Sequence, residues 1–459
     1  MKFNYIQKTP LYNTFSEIGK RIFLPEGIFY WSERAKNEAD LVGTIGSAYA
    51  YEHDFIDGGR SEWLPCYLKD ISEYSSLKIK EIVPYASIGG LSEIREIWKQ
   101  WIIRKSLYDN ESEKGLVYRL EKYISNPIIT SGVTNGIFQS CAMFLNPDEI
   151  IIAPNKRWGN YDNIITKFIG AWIKSFEFFE GKGININGLE KVINETAKIQ
   201  DKIVIILNFP NNPTGYVPTN EEAKEIVDLL RKSYKIHGKP VIVIIDDAYE
   251  PYIYSKSTLN RSLFYDLHQL NENIIPIKLD GITKELLIYG ARIGFLTIGI
   301  KPNWIENDEQ LEILKFEINN KLEGFSRATI SNCNHFYQSL TQKLFNSKGV
   351  ERIMESREKI KQLLEERYKK INAEIGKIKN SDISIDPNSG GFFLFMNLDP
   401  KKYKANRFAD YLLKKYKVGI IPIEKPDENI NGIRIAYCSL DLSKISDLVK
   451  RIDLALKDF

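Results

Sequence analysis

Between about residue 126 and residue 300, short apolar runs rich in β-branched side chains alternate with stretches of helical periodicity. The runs are NPIIT, EIIIAP, KIVIILNF, PVIVIID, IIPIKLD and IGFLTIG. Nearly every position in them is apolar, which predicts strands covered on both faces. Between them lie segments such as TNEEAKEIVDLLRKSYKIHG, residues 219–238. Thr219 and Glu222 form a capping box at its start and Gly238 closes it, so a helix is predicted. Alternation of this kind implies an α/β fold built on a mainly parallel sheet.

After about residue 335 the pattern changes. GVERIMESREKIKQLLEERYKKINAEIGK, residues 349–377, predicts a long amphipathic helix leading into GGFFLFMNL, KVGIIPI and a C-terminal helix. That is the signature of a smaller α+β domain. The first 75 residues are aromatic-rich without clear alternation, and predict an extended arm packed on another part of the molecule. A chain of 459 residues exceeds what one core normally supports. The expected division is an arm with part of the small domain over 1–75, a large domain over 76–335 and a C-terminal small domain over 336–459.

Hydrophobic residues make up 43% and charged residues 27%, ordinary globular usage, and the net charge of +3 gives no basis for nucleic-acid binding. Cys66, Cys141, Cys333 and Cys438 form no CxxC pair, and His53, His237, His268 and His335 show no metal spacing, so no metal is expected. No apolar leader region and no run of about 18 apolar residues is present, which predicts neither export nor membrane insertion. A reduced, cytoplasmic protein is expected.

Open α/β sheets bind ligands beyond the carboxyl ends of their strands. The residues there are NFPNNPTG (208–215), DDAYEPY (246–252) and DGITK ending at Lys284, with Arg292 opening the next strand. A turn alone would account for the first, and loop caps for the two carboxylates of the second. Yet Asn212, Asp246 and Lys284 follow one another at intervals of 34 and 38 residues, each about one strand–helix unit, which puts three polar ends on one edge of one sheet.

NNPTG, then DDAY, then TK with an arginine eight residues on resembles the fold-type I pyridoxal-phosphate enzymes, specifically the class I and II aminotransferases. The likeness runs from GTIGSAY near residue 43 to RIAY at 434. It implies a large domain with a mainly parallel seven-stranded sheet covered by helices, a smaller α+β domain and an N-terminal arm. Pyridoxal 5'-phosphate is the implied cofactor. Lys284 resembles the lysine that forms the Schiff base with its aldehyde and carries the substrate's α-proton. Asp246 matches the carboxylate that holds the pyridine nitrogen's proton, with Tyr249 and Asn212 at the phenolic oxygen. Asp247 faces the other way on an alternating strand and reads as structural. Arg292, with Gly132, Val133 and Thr134 at a helix start, matches the phosphate site. Trp158, in PNKRWGNY, matches the aromatic that stacks on the ring.

Tyr85, in PYASIGGL, resembles the tyrosine given to a neighbour's phosphate, which implies a homodimer with shared sites. Where the family often has Ser or Thr three residues before the lysine, this chain has Gly281. Arg434 matches the arginine that pairs with the substrate α-carboxylate, and Gly46 the glycine lying against the substrate. Arg327, in GFSRATISN, has the offset of an arginine that reads a distal carboxylate, implying an aspartate- or glutamate-like donor. Phe29, Tyr30 and Trp31 could equally line an apolar pocket. The implied reaction moves an amino group from an α-amino acid to a 2-oxo acid. A lyase, decarboxylase or synthase is the alternative on the same cofactor. A non-catalytic regulator comes third, because the N-terminal arm lacks the basic helix-turn-helix pattern such regulators append.

Overall fold

The computed structural model describes residues 5–25, 27–74, 76–107 and 114–459. Seven strands form the large sheet: β1 (Ile128–Thr130), β2 (Ile150–Pro154), β3 (Trp172–Phe176), β4 (Ile203–Asn208), β5 (Val241–Asp246), β6 (Ile274–Gly281) and β7 (Gly294–Ile298). Their order is β1-β7-β6-β5-β4-β2-β3. Only β7 runs against its neighbours, β6 and β1, so the sheet is mainly parallel as the alternation predicts. β4 and β5 are buried at every position. Val204, Ile206, Ile242 and Ile244 enter one apolar layer, and Ile203, Ile205, Val241 and Val243 the other. Adjacent side chains of a strand point to opposite faces, so a two-sided core demands the continuous apolar runs seen in the sequence.

The helices that matter to the site are α1 (Ile28–Glu38), α2 (Ser92–Ser106), α3 (Gly132–Phe144), α4 (Asn220–His237), α5 (Asp308–Thr329) and α6 (His335–Ile375). α4 has the predicted cap: the Thr219 side chain accepts from Glu222 N–H, the Glu222 carboxylate accepts from Thr219 N–H at 2.7 Å, and Gly238 takes φ +65°. α6 begins earlier than expected, at His335, and Gly349 at φ +76° breaks it. The expected start at 349 therefore coincides with that break. Beyond it Ile353, Ile360, Leu364, Ile371 and Ile375 make one buried stripe at helical spacing.

A second sheet of β8 (Ile383–Ile385), β9 (Phe393–Leu398), β10 (Ile421–Lys425) and β11 (Ile430–Ala436) has the order β8-β9-β11-β10 and is antiparallel throughout. The N-terminal region differs from the expected extended arm, because residues 28–38 are the helix α1. Trp31 and Ala35, one helical turn apart, are both buried, Trp31 in the core of the second sheet, which makes helix more favourable there than extended chain. Tyr249 from the large sheet and Phe393, Ala436 and Cys438 from the second meet in one apolar cluster, so the two cores join beside the ends of β5 and β6. Among the described residues no helix is long and apolar enough to cross a membrane.

Candidate active site

Asp246, the last residue of β5, stands in register with Asn208 of β4 and Leu279 of β6. Beyond this edge, where the two cores join, opens a cavity of about 510 Å³, within the usual range for small-molecule sites. The Lys284 side chain is half-buried and opens on it. Its ammonium donates to Gly46 O and lies 5.0 Å from the Tyr289 ring and 5.7 Å from the Tyr249 ring. Among the described residues no carboxylate pairs with it. Burial, helped by Arg434 and Arg292, lowers its pKa to about 8, with Cys438 opposing. At pH 7.5 roughly a quarter of such amines are neutral, on the order of 10² times the fraction of an ordinary lysine. A neutral amine has the free lone pair that a nucleophile or a base needs.

Asp246 faces the same cavity from the sheet edge. Its carboxylate accepts from Tyr161 O–H at 2.6 Å and Ala248 N–H at 3.2 Å. Burial nevertheless raises its pKa to about 6, the two hydrogen bonds only partly offsetting the loss of water. A cationic N–H brought against it from the cavity would relieve that cost. Asn208 fixes the corner: its amide donates to Asp246 O at 2.7 Å and its carbonyl oxygen accepts from Asn212 N–H at 2.8 Å.

Arg434, on β11, also lines the cavity, is 2% exposed and has no carboxylate partner among the described residues. It donates to Asn212 Oδ1 at 3.1 Å and Thr44 O at 2.9 Å, packs on the Phe393 ring at 4.2 Å, and leaves its Nε unpaired. Burial lowers its pKa to about 10. A buried guanidinium held by neutral groups alone is an anion site in waiting. Gly46 is required here by space, since a Cβ would stand 2.8 Å from Phe393 Cζ.

The third cation, Arg292, lies beside the start of α3, where Val133 and Thr134 line the cavity. A Cβ on Gly132 would come within 2.4 Å of Arg292 Nη2, so glycine clears the space the guanidinium uses. Thr283 also lines the cavity, and its Oγ1 is buried without a hydrogen-bond partner. Gly281, in place of the family's hydroxyl residue, is explained by β7: a Cβ there would meet Ile293 O at 2.7 Å and Gly294 Cα at 2.8 Å. The free hydroxyl of this loop is supplied by Thr283 instead. Trp158, half-buried, lines the cavity and stands edge-on to Tyr161, centroids 5.7 Å apart.

Ten of the thirteen residues singled out from the sequence therefore line one cavity, and Gly132 lies just behind Arg292. Two do not. Tyr85 is 91% exposed, and Arg327 is exposed at the end of α5 with Nη1 donating to Ser331 Oγ at 2.8 Å. Of the aromatic trio, Phe29 reaches the cavity while Trp31 is buried in the second core. Sequence reasoning missed Tyr161, Phe393 and the bracing function of Asn208. Asn208 had a signal, as the polar residue that ends an apolar strand. Phe393 had none, being one of several aromatics in GGFFLF.

A family model for aminotransferase class I and II matches residues 108–452. The chain belongs to this family. Its relatives include a tyrosine aminotransferase from Dictyostelium discoideum, 24% identical over 72% of this chain and 76% of the relative. An aspartate aminotransferase from Pyrococcus horikoshii is also 24% identical, over 81% of this chain and 83% of its own. Among solved structures, an aminotransferase from Anaerococcus prevotii superposes with a TM-score of 0.76 at 22% identity, covering 97% of this chain and 99% of that one. The fold is that of fold-type I aminotransferases, and the protein is a pyridoxal-phosphate-dependent aminotransferase.

The cavity fits that cofactor on its own chemistry: one carboxylate without a cation, one amine without a carboxylate, and an arginine beside an orphaned hydroxyl and a helix start. Thr283→Val is expected to weaken pyridoxal phosphate binding about 10-fold, the effect of one charge-assisted hydrogen bond, measured by equilibrium dialysis. Thr283→Ser should restore it.

Proposed function

We propose that Lys284 attaches the cofactor covalently and exchanges protons with the substrate's α-carbon, so that an α-amino acid gives up its nitrogen and a 2-oxo acid takes it. The observation that carries this reading is the grouping of Lys284, Arg292 and Arg434, three cations without carboxylate partners among the described residues, around a cavity that Asp246 faces. When bound, pyridoxal phosphate supplies an aldehyde carbon to carry the amino group and a ring to take up the electron pair left at the α-carbon.

The chain's own residues do the rest. Asp246 would hold a proton at the cofactor's ring nitrogen, and Tyr249 and Asn212 would serve its phenolic oxygen. Arg292, Thr283 and the amides that open α3 take the phosphate. Trp158 covers the ring. Arg434 binds the substrate α-carboxylate against Gly46 and Phe393, which orients the α-proton toward Lys284. The Lys284 amine would take that proton, hold it and give it back in each half of the cycle.

The test is stoichiometric. Holoenzyme given an amino acid alone should release one equivalent of its 2-oxo acid per cofactor, and a different 2-oxo acid added afterwards should come back as its amino acid. Release of carbon dioxide or ammonia in place of this exchange would favour a decarboxylase or lyase.

The donor has two readings. Arg327 supports an acidic donor, and because it lies outside its own chain's cavity it would act across a homodimer. Tyr85, exposed beside Ile79 and Val83 at 76% and 72%, supports such a dimer. Ile28 and Phe29 on the cavity wall support a neutral or aromatic donor instead. A matrix of donors and acceptors on wild type and Arg327→Ala separates them. If Arg327 reads a distal carboxylate, the substitution should lower kcat/KM about 10- to 10²-fold for acidic donors only; equal loss for all donors assigns it to structure. The four cysteines, all free thiols and buried, support a reducing, cytoplasmic setting.

A further inference from the structure

Behind the strand ends that carry Asp246, Tyr249 and Lys284 lies a closed set of charged side chains that the reaction does not use. Asp247, Glu250, Asp280 and Glu285 are each 6% exposed or less, Lys278 is 0% and Lys105 6%. Lys278 Nζ donates to Asp247 and, at 2.8 Å, to Glu250 Oε2. Lys105 Nζ, from α2, reaches the same Glu250 oxygen at 2.7 Å, Asp280 at 2.9 Å and Glu285 at 3.1 Å. Glu250, Asp280 and Glu285 converge closely enough to hold a metal ion, and the Lys105 ammonium fills that place. Arg357 of α6 donates to Glu285 at 3.1 Å. Trp98, Trp101 and Ser262 donate to Asp280, Glu285 and Asp247.

Two features tie this set to the site. Each of three cavity residues is followed at once by a member of it: Asp246 by Asp247, Tyr249 by Glu250, Lys284 by Glu285. One strand end thus presents one side chain to the cavity and anchors the next behind it. The set also holds four carboxylates against three cations, one net negative charge when all are ionised.

We propose that this buried network is the positioning device of the site: it fixes the backbone beneath Asp246, Tyr249 and Lys284, and its net negative charge sets the proton affinity of the Lys284 amine from behind. The functional half of the inference rests on Lys284 being the reactive amine proposed above. On the cavity side Lys284 meets Arg292, Arg434, Cys438, Tyr249 and Tyr289, and Tyr252 O–H donates to its carbonyl at 2.8 Å. The network's own neighbours are Tyr265, 5.3 Å from the Lys278 ammonium, and Tyr252, beside Arg357 and Glu285. Two arginines in front favour the neutral amine; a net negative charge behind would oppose them. Through protein with an effective dielectric near 20, a unit charge on the order of 10 Å away shifts a proton affinity by about one pH unit.

The test reads the ionisation of Lys284 itself in cofactor-free protein, from the pH dependence of its reaction with an amine-directed acylating reagent, located by peptide mapping. Glu285→Gln removes one negative charge and should lower the midpoint by about one pH unit; Arg357→Gln removes one positive charge and should raise it by a similar amount. Arg357→Lys should return it to the wild-type position. The absorbance of the bound cofactor in the holoenzyme, followed against pH, should move in the same two directions. If either variant does not fold, Asp247→Asn replaces Glu285→Gln and Lys105→Met replaces Arg357→Gln, with the same signs. Midpoints that stay put, or that move the same way in both charge classes, overturn the proposal. Cofactor attachment at another lysine would defeat the proposed function while leaving this titration readable.

Discussion

Lys284→Ala is expected to abolish covalent attachment of the cofactor and to lower transamination by at least about 10³-fold, the loss of a positioned proton-transfer group together with the amine that carries the cofactor. No other lysine lines the cavity among the described residues, so no neighbour can substitute. Lys284→Arg should be equally inactive, because a guanidinium does not give up its proton. Small primary amines in the assay should restore part of the proton transfer in Lys284→Ala, and none in Lys284→Arg, where the cavity stays filled.

The same substitution carries a stability signature. Burial lowers the Lys284 pKa to about 8, from the 10.5 of an ordinary lysine. The unfolded chain therefore binds the proton more tightly, and burying Lys284 costs stability in full below pH 8, with the cost fading as pH rises toward 10.5. Cofactor-free Lys284→Ala should melt no lower than wild type at pH 7, and any advantage should shrink above pH 8, as followed by thermal denaturation.

Asp246→Asn is expected to reduce kcat by about 10²-fold or more, because a neutral amide cannot hold a proton on the ring nitrogen through a buried charge-assisted hydrogen bond. The pH dependence follows from the raised carboxyl. With Asp246 at about 6, protonation competes with cofactor binding as pH falls through 6, so wild-type affinity for pyridoxal phosphate should decline between pH 7 and 5. Asp246→Asn should lack that decline. Tyr161→Phe removes the 2.6 Å hydrogen bond that favours the carboxylate, and should move the decline to higher pH. A binding curve for Tyr161→Phe that coincides with wild type would remove Tyr161 from the account.

Much of this was legible in the chain because the physics of a two-sided sheet is local. An apolar run in register with its neighbours leaves its polar residues at one edge, and Asn212, Asp246 and Lys284 could be placed there by spacing alone. α4 could be bounded to the residue because Thr219, Glu222 and Gly238 satisfy its ends by themselves. What was not legible depends on distant packing. α1 is helical because Trp31 finds the core of the second sheet, and nothing near Trp31 in the sequence announces that core. The partners of Lys278, Asp247 and Glu250, come from the adjacent strand end, and the Lys105 that shares Glu250 comes from a helix some 170 residues earlier. Gly281 looked like a lost contact until the backbone of Ile293 and Gly294 proved to occupy the space a side chain would need. Arg327 and Tyr85 lie outside the cavity of their own chain, where spacing within one chain says nothing about a second copy.

One amine, Lys284, is proposed to carry the cofactor. Borohydride reduction of the holoenzyme followed by peptide mapping tests it most directly. One phosphopyridoxyl group per chain is expected, on Lys284, and none on Lys284→Ala; a stable label on any other lysine would refute the assignment.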